Sequence, residues 1–250
     1  MPGGLGRHAG TQAHHRLRLT PVDASFHKFP HTPHLLWLGL GAPREDKVLS
    51  PADADAFLAE EVVIEEKIDG ANLGISLASD GRLRPQSRGN YSAPGKSHAQ
   101  WNLLWPWLAE RRVALEEGLR GGLILFGEWC YAKHSVPYDV LPDWFLAFDI
   151  FETHSGHFWS TDRRNQWLQG RDIVPIPEIT RGRFSLKRVS SLLDNSRVGH
   201  VPMEGIYLRR ERAGWLDARA KVVSGAFKQK IEEHWTRHAL VPNHLALVGV

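Results

Sequence analysis

Val62-Val63-Ile64-Glu65-Glu66-Lys67-Ile68-Asp69-Gly70-Ala71-Asn72-Leu73-Gly74-Ile75-Ser76-Leu77 is the stretch on which the fold turns. Its first six residues open with β-branched side chains and read as a strand. Leu73 to Leu77 read as the antiparallel return, with Asp69-Gly70 supplying the turn between them. In that reading Lys67 is a solvated strand-end residue. The same signals recur outward from here. Leu123–Trp129, Trp144–Phe151, Gly205–Arg209 and Ala218–Val223 are further strand candidates, and Asp80-Gly81 marks a second tight turn. Pro51-Ala52-Asp53-Ala54-Asp55 followed by Ala56-Phe57-Leu58-Ala59 reads as a short capped helix. Trp101, Leu104, Trp105 and Leu108 fall at helical spacing, with Pro106 as a break, and Asp162 to Leu168 opens another helix. Phe227–His238 has the composition of a basic helix. Strands and helices lack the regular alternation of a doubly wound sheet, so the expected class is α+β with antiparallel sheets.

Composition narrows the function classes. The chain has 250 residues, 10 tryptophans and 10 phenylalanines, enough for one sizeable core. No run of about 18 apolar residues is present, so neither a membrane span nor a membrane partner is expected. The opening residues lack the apolar core of a signal peptide. The single cysteine, Cys130, excludes an internal disulfide and a multi-cysteine zinc site and fits a reducing, cytoplasmic setting. A net charge of +3 and a pI near 9.1 are too mild to establish nucleic-acid binding by themselves. The 14 histidines show no metal-ligand spacing, although several cluster early. Residues 1–24, rich in Gly, His and Arg, read as a disordered basic tail, and residues 25–250 as a single domain.

Charged residues punctuate the ends of the apolar strands. Lys67 closes one strand beside Asp69 and Gly70. Glu128 follows Phe126-Gly127, Asp149 follows Phe148, and Glu204-Gly205 opens a later strand. Arg219 and Lys221 alternate along the last one. Each residue alone is explicable as a surface group, and Phe148 alone as a core residue. Together they place a lysine, several carboxylates and further cations at strand ends, a pattern suited to a charged cleft.

Five segments, in order, resemble the covalent nucleotidyltransferases: DNA ligases, RNA ligases and mRNA-capping enzymes. Lys67-Ile68-Asp69-Gly70 is similar to the nucleophile motif K-x-D-G, and Phe126-Gly127-Glu128 to the third motif. Phe145 to Asp149 is similar to the segment after it. Glu204-Gly205-Ile206-Tyr207-Leu208-Arg209 resembles the fourth motif, and Arg219-Ala220-Lys221 the fifth, usually K-x-K. The closest likeness is to RNA ligases of the RNA ligase 2 type, through the Gly70-Ala71-Asn72 ending, Ser87-Arg88, and Ala132 to Tyr138. The resemblance spans about residues 26–228.

The resemblance implies an adenylation domain of antiparallel sheets flanked by helices, ATP-grasp-like, that takes ATP and Mg²⁺ or Mn²⁺. Lys67 would form a lysyl-AMP with loss of pyrophosphate, and AMP would pass to an RNA 5′-phosphate. A 3′-hydroxyl would then seal the strand. Glu66 would accept a hydrogen bond from the adenine amine, which favours ATP over GTP. Arg88 and Glu128 would hold ribose and neighbouring phosphates, Phe148 would stack on adenine, and Asn72 would touch the transferred phosphate. Asp69 and Gly70 complete the nucleotide site. Glu204 would bind metal, and Lys221 would contact the α-phosphate with Arg219 beside it. Arginine at position 219 keeps the charge of the usual lysine but not its compact ammonium. Only 29 residues follow Lys221, too few for the OB-fold or helical domain that full ligases commonly append. Sealing is therefore expected to be weak alone or to rely on an RNA-repair partner such as an end-healing kinase or phosphatase. The alternatives are a DNA ligase, a capping-type guanylyltransferase, or a non-catalytic RNA-binding relative. Glu66 and the Gly-Ala-Asn ending argue against the first two, and an intact Lys67 against the third.

Overall fold

The computed structural model describes residues 26–39, 47–95, 98–225 and 240–247. The basic tail and the Phe227–His238 helix of the sequence reading lie outside them. Helix α1 (Pro51–Leu58) starts where expected: Pro51 takes the first helical position, and the Ser50 hydroxyl accepts from Asp53 N at 3.1 Å. Helix α2 (Leu104–Glu110) is not broken by Pro106, which lies in its first turn, where a missing N–H costs nothing. Helix α3 (Arg112–Gly118) follows directly. Helices α4 (Thr161–Leu168) and α5 (Leu186–Ser190) are capped by the Ser160 and Ser185 hydroxyls. Among the described residues no helix is long and apolar enough to cross a membrane.

The strands form two sheets. One has the order β10 (Trp215–Val223), β9 (Gly205–Arg212), β1 (Val62–Lys67), β8 (Glu178–Gly182), antiparallel throughout. The other runs β3 (Leu83–Gln86), β2 (Ala71–Leu77), β4 (Leu123–Trp129), β5 (Phe145–Glu152), β6 (His157–Phe158). Its sixth strand, β7 (Val174–Pro175), pairs with β5 in parallel, a departure from the antiparallel expectation. The class is α+β, as the sequence implied.

The reading of β1 and β2 as a hairpin is overturned. Lys67 pairs with Gly205 in the first sheet, and Ala71 pairs with Trp129 in the second. Ile68, Asp69 and Gly70 therefore cross from one sheet to the other. Gly70 is not in the left-handed conformation that an Asp-Gly hairpin turn requires. It is small because β4 runs close: a Cβ there would lie 2.9 Å from the Trp129 carbonyl oxygen.

Both faces of the central strands are covered, which is why they read as nearly continuous apolar runs. On β4, Leu123, Leu125 and Trp129 join the cluster under α2 and α3, whereas Ile124 and Phe126 face an aromatic cluster with Phe29, Phe151 and Phe158. Val62 and Ile64 of β1 join the cluster under α1. β4 and β5 slip register by one residue: Phe126 faces Asp149 while Gly127 faces Ala147, leaving Phe148 opposite no residue of β4. Such a bulge re-aims a side chain, and here the side chain is that of Phe148.

Candidate active site

A cleft of about 440 Å³ opens at the crossing between the two sheets. Lys67 lies at its floor because it ends β1 opposite Gly205, which puts it beside Glu204. Lys67 Nζ donates to Glu204 Oε2 at 2.6 Å. On its other side Gly205 lets β10 run close, since a Cβ there would meet the Val222 carbonyl oxygen at 2.3 Å. Asn72 and Glu128 are cross-strand partners on β2 and β4, so both reach the cleft. Phe148, Arg88, Lys221, Glu66 and Gly70 complete the set of predicted residues that line it.

Two predicted residues do not line it. The Asp69 carboxylate turns away and accepts from the backbone N–H groups of Ser135 and Val136 at 2.7 and 2.9 Å. Arg219 is drawn back to Asp149, 3.1 Å away, and lies over the ring of Phe158. The cleft also takes in Phe29, Thr32, His34 and Tyr207, to which the sequence reading assigned no site role. Thr32 and His34 arrive because this segment pairs along β10: Lys221 N donates to Pro33 O, and Leu35 N to Lys221 O. The Thr32 and Tyr207 hydroxyls are 2.7 Å apart. Tyr207 had a signal in the alternation of β9, but the Pro-interrupted segment around Phe29 and Thr32 had none.

Burial and mutual charge set the protonation states. Burial alone would disfavour the Lys67 ammonium, but the carboxylates of Glu204 and Glu128 more than offset it and hold Lys67 above the ordinary lysine value. Glu128 is pushed up to about 8, chiefly by burial and against the pull of Lys67. Glu204 is raised to about 7 for the same reasons. Burial also raises Glu66, although the Ser196 hydroxyl and the Arg197 N–H both donate to its carboxylate, at 2.6 and 2.8 Å. Two polar atoms of the cleft, Glu128 Oε2 and Asn72 Oδ1, are sealed from solvent without a hydrogen-bond partner. Buried polar atoms of this kind are costly to leave unpaired.

An unfolded glutamate ionises near 4.5, whereas folded Glu128 keeps its proton to about 8. Between those values the unfolded chain binds fewer protons, so the contribution of Glu128 to stability is lost as pH rises through that window. Glu128→Gln does not titrate. Its stability relative to wild type is expected to rise with pH, by at most about 1.4 kcal/mol per unit. Urea melts of both metal-free proteins at about pH 5 and about pH 8 check this. An unchanged difference would mean that Glu128 is already ionised in the folded chain.

The two sheets thus meet at a cleft that holds a lysine–carboxylate pair. The RNA ligase family model matches residues 60–223, and the chain belongs to the RNA ligase family. No curated protein matches the chain at the sequence level. Among solved structures it is similar to the Naegleria gruberi RNA ligase. An arginine-to-alanine mutant of that enzyme with ATP and Mn has 15% identity and a TM-score of 0.58, over 83% of this chain and 58% of that one. The same ligase with PPi gives 16% and 0.56, over 84% and 62%. An apo lysine-to-alanine mutant gives 15% and 0.53, over 70% and 53%. At such identity the likeness shows the fold alone. The chain spans between 53% and 62% of the length of these three chains.

Proposed function

We propose that the chain is an ATP-dependent RNA ligase that works through a covalent lysyl-AMP on Lys67. The observation that carries this is the Lys67–Glu204 pair at 2.6 Å, set in a cleft beside two unpartnered buried polar atoms. The neutral Nζ attacks the α-phosphorus of ATP, an N–P bond forms, and pyrophosphate leaves. An RNA 5′-phosphate oxygen then displaces the lysine and carries the AMP. A 3′-hydroxyl attacks that phosphate, the phosphodiester forms, and AMP departs.

The residues fit these demands. Lys67 is held as an ammonium by Glu204, so it must lose a proton before it can attack. Among the described residues no group of three or more His, Cys, Asp or Glu is placed to hold a metal alone. Mg²⁺ commonly binds through one or two carboxylates plus substrate phosphates, a demand that Glu204 and Glu128 match. Such a cation supplies positive charge at the phosphates and offsets the carboxylates that favour the ammonium. Lys221 lines the cleft as the cation for the α-phosphate, with Arg219 behind it as the partner of Asp149. Phe148, at the bulge, lines the cleft and would stack on the base. Asn72 and Glu128 line the cleft with unpaired polar atoms that the nucleotide would meet, and Arg88 would meet a phosphate.

Glu66 is the base-reading residue of this proposal, with its carboxylate fixed by Ser196 and Arg197. Adenine presents an amine donor where guanine presents a carbonyl, so a fixed acceptor favours ATP. Incubation with α-labelled ATP or GTP and Mg²⁺, followed by a denaturing gel, tests the function. Label is expected from ATP. Glu66→Ala is expected to narrow the ATP-over-GTP preference by about tenfold or more. Label from GTP alone would move the chain to the capping branch, and an unchanged preference in Glu66→Ala would remove Glu66 from the base site.

A further inference from the structure

The three-residue crossing from Lys67 to Ala71 lies outside either ladder, so its backbone and side chains need partners elsewhere. Asp69 finds its partners in one loop. Asp69 N donates to the Tyr138 hydroxyl at 2.7 Å, and the Asp69 carboxylate accepts from Ser135 N and Val136 N. That loop is held in turn by the segment 241–246, far along the chain. Asn243 is 3% exposed. Its amide donates to Cys130 O at 2.8 Å, and its Oδ1 accepts from Tyr138 N at 2.9 Å. Backbone bonds flank it: Asn243 N to Tyr131 O, Lys133 N to Val241 O, His244 N to Tyr138 O, and Ala246 N to Leu141 O.

We infer that Asn243 is a positioning residue for the proposed adenylation step, acting through Tyr138 and Asp69 to hold the Lys67 crossing at the floor of the cleft. Asn243 touches neither the cleft nor Lys67. Its amide does in the 130–141 loop what a strand partner would do in a sheet: it donates to the Cys130 carbonyl and, at 3.4 Å, to that of Ala132, and accepts from the Tyr138 N–H, where the loop otherwise meets this segment through isolated bridges. The loop then presents two adjacent N–H groups to Asp69. Loss of the brace leaves a buried N–H and carbonyl unpaired and frees the crossing, and a small misplacement of a nucleophile is costly in rate.

This inference rests on the ligase reading, and its test separates the two. Single-turnover labelling from α-labelled ATP is measured for wild type, Asn243→Ala, Tyr138→Phe and the double variant. Tyr138→Phe keeps the buried ring and deletes only the oxygen that receives Asp69 N. Each single variant is expected to slow labelling by about tenfold at saturating ATP, with half-saturating ATP shifted less than about threefold. The double variant is expected to be much faster than the product of the single losses predicts, because both act through one loop. Hydrogen exchange supplies a readout free of activity. In Asn243→Ala the amides of Ser135 and Val136 are expected to lose protection, while those of Leu125 and Phe126 in β4 keep it. Wild-type rates, multiplicative losses, or equal loosening of β4 would each overturn the inference. If wild type takes no label, the ligase reading falls, and retained protection at Ser135 and Val136 would bring down the brace as well.

Discussion

Lys67→Ala is expected to take no label from α-labelled ATP while keeping a cooperative melt close to that of wild type. The chemical half is absolute because the proposed bond is made to one nitrogen. Lys221 is the only other lysine lining the cleft among the described residues, and the proposal gives it to the phosphate. The stability half depends on what removal leaves behind. A buried carboxylate stripped of its cation is ordinarily a severe defect. Glu204, however, is already raised to about 7 with Lys67 present, and the lysine is among the groups holding it down. Without Lys67 its pKa moves further up, and near neutral pH it takes a proton rather than remaining a bare charge. The loss is therefore confined to chemistry. Mass spectrometry of wild type after ATP treatment should find one adenylyl group, on the peptide containing Lys67. A modified Lys221, or label surviving in Lys67→Ala, would sink the assignment of the nucleophile.

The residues behind this prediction were legible to different degrees. The long strands stood out because both of their faces are covered, so β4 and β5 are apolar runs whose carboxylates had to have a reason. Pro51 announced α1 by local chemistry alone. The crossing at Ile68 to Gly70 was misread because Asp-Gly carries a strong local turn signal, whereas the partners of Asp69 lie 66 and 67 residues away. The same distance problem hid Arg164, whose carboxylate partner is 99 residues earlier. It looked like a polar residue of a helix and is fully buried. Arg219 was placed beside the phosphate site by resemblance, and Asp149 takes its guanidinium instead. The bulge at Phe148 had no sequence mark, since a register slip belongs to the pair of strands rather than to either one.

Arg209→Met is expected to give the largest loss of stability in the molecule, about 3–5 kcal/mol. Arg209 is fully buried between the sheets. Its guanidinium meets Asp149 Oδ1 at 2.6 Å, the Trp159 carbonyl at 2.8 Å and Glu211 Oε1 at 2.9 Å. Arg164 lies beside it and donates to Glu65 at 2.6 Å. Three arginines, 164, 209 and 219, here balance the carboxylates of Glu65, Asp149 and Glu211. Such a cluster adds little net stability over a well-packed apolar one, but removing a single member strands its opposite charges in a dry interior. Methionine fills much of the volume and supplies none of the donors. Arg209 and Arg164 also both donate to the Phe148 carbonyl, at 3.2 and 2.5 Å, the acceptor that the bulge places opposite no residue of β4. Surviving Arg209→Met protein is therefore expected to need more ATP for half-maximal labelling, because the ring proposed to stack on the base loses its anchor. Arg212→Met is the control, with a side chain 57% exposed and paired to Glu60, and should change stability by no more than about 0.5 kcal/mol. Urea melts of the two variants decide the matter. Equal losses would mean that the buried cluster is not what joins the sheets, and a destabilised Arg209→Met with unaltered ATP dependence would detach the cluster from Phe148.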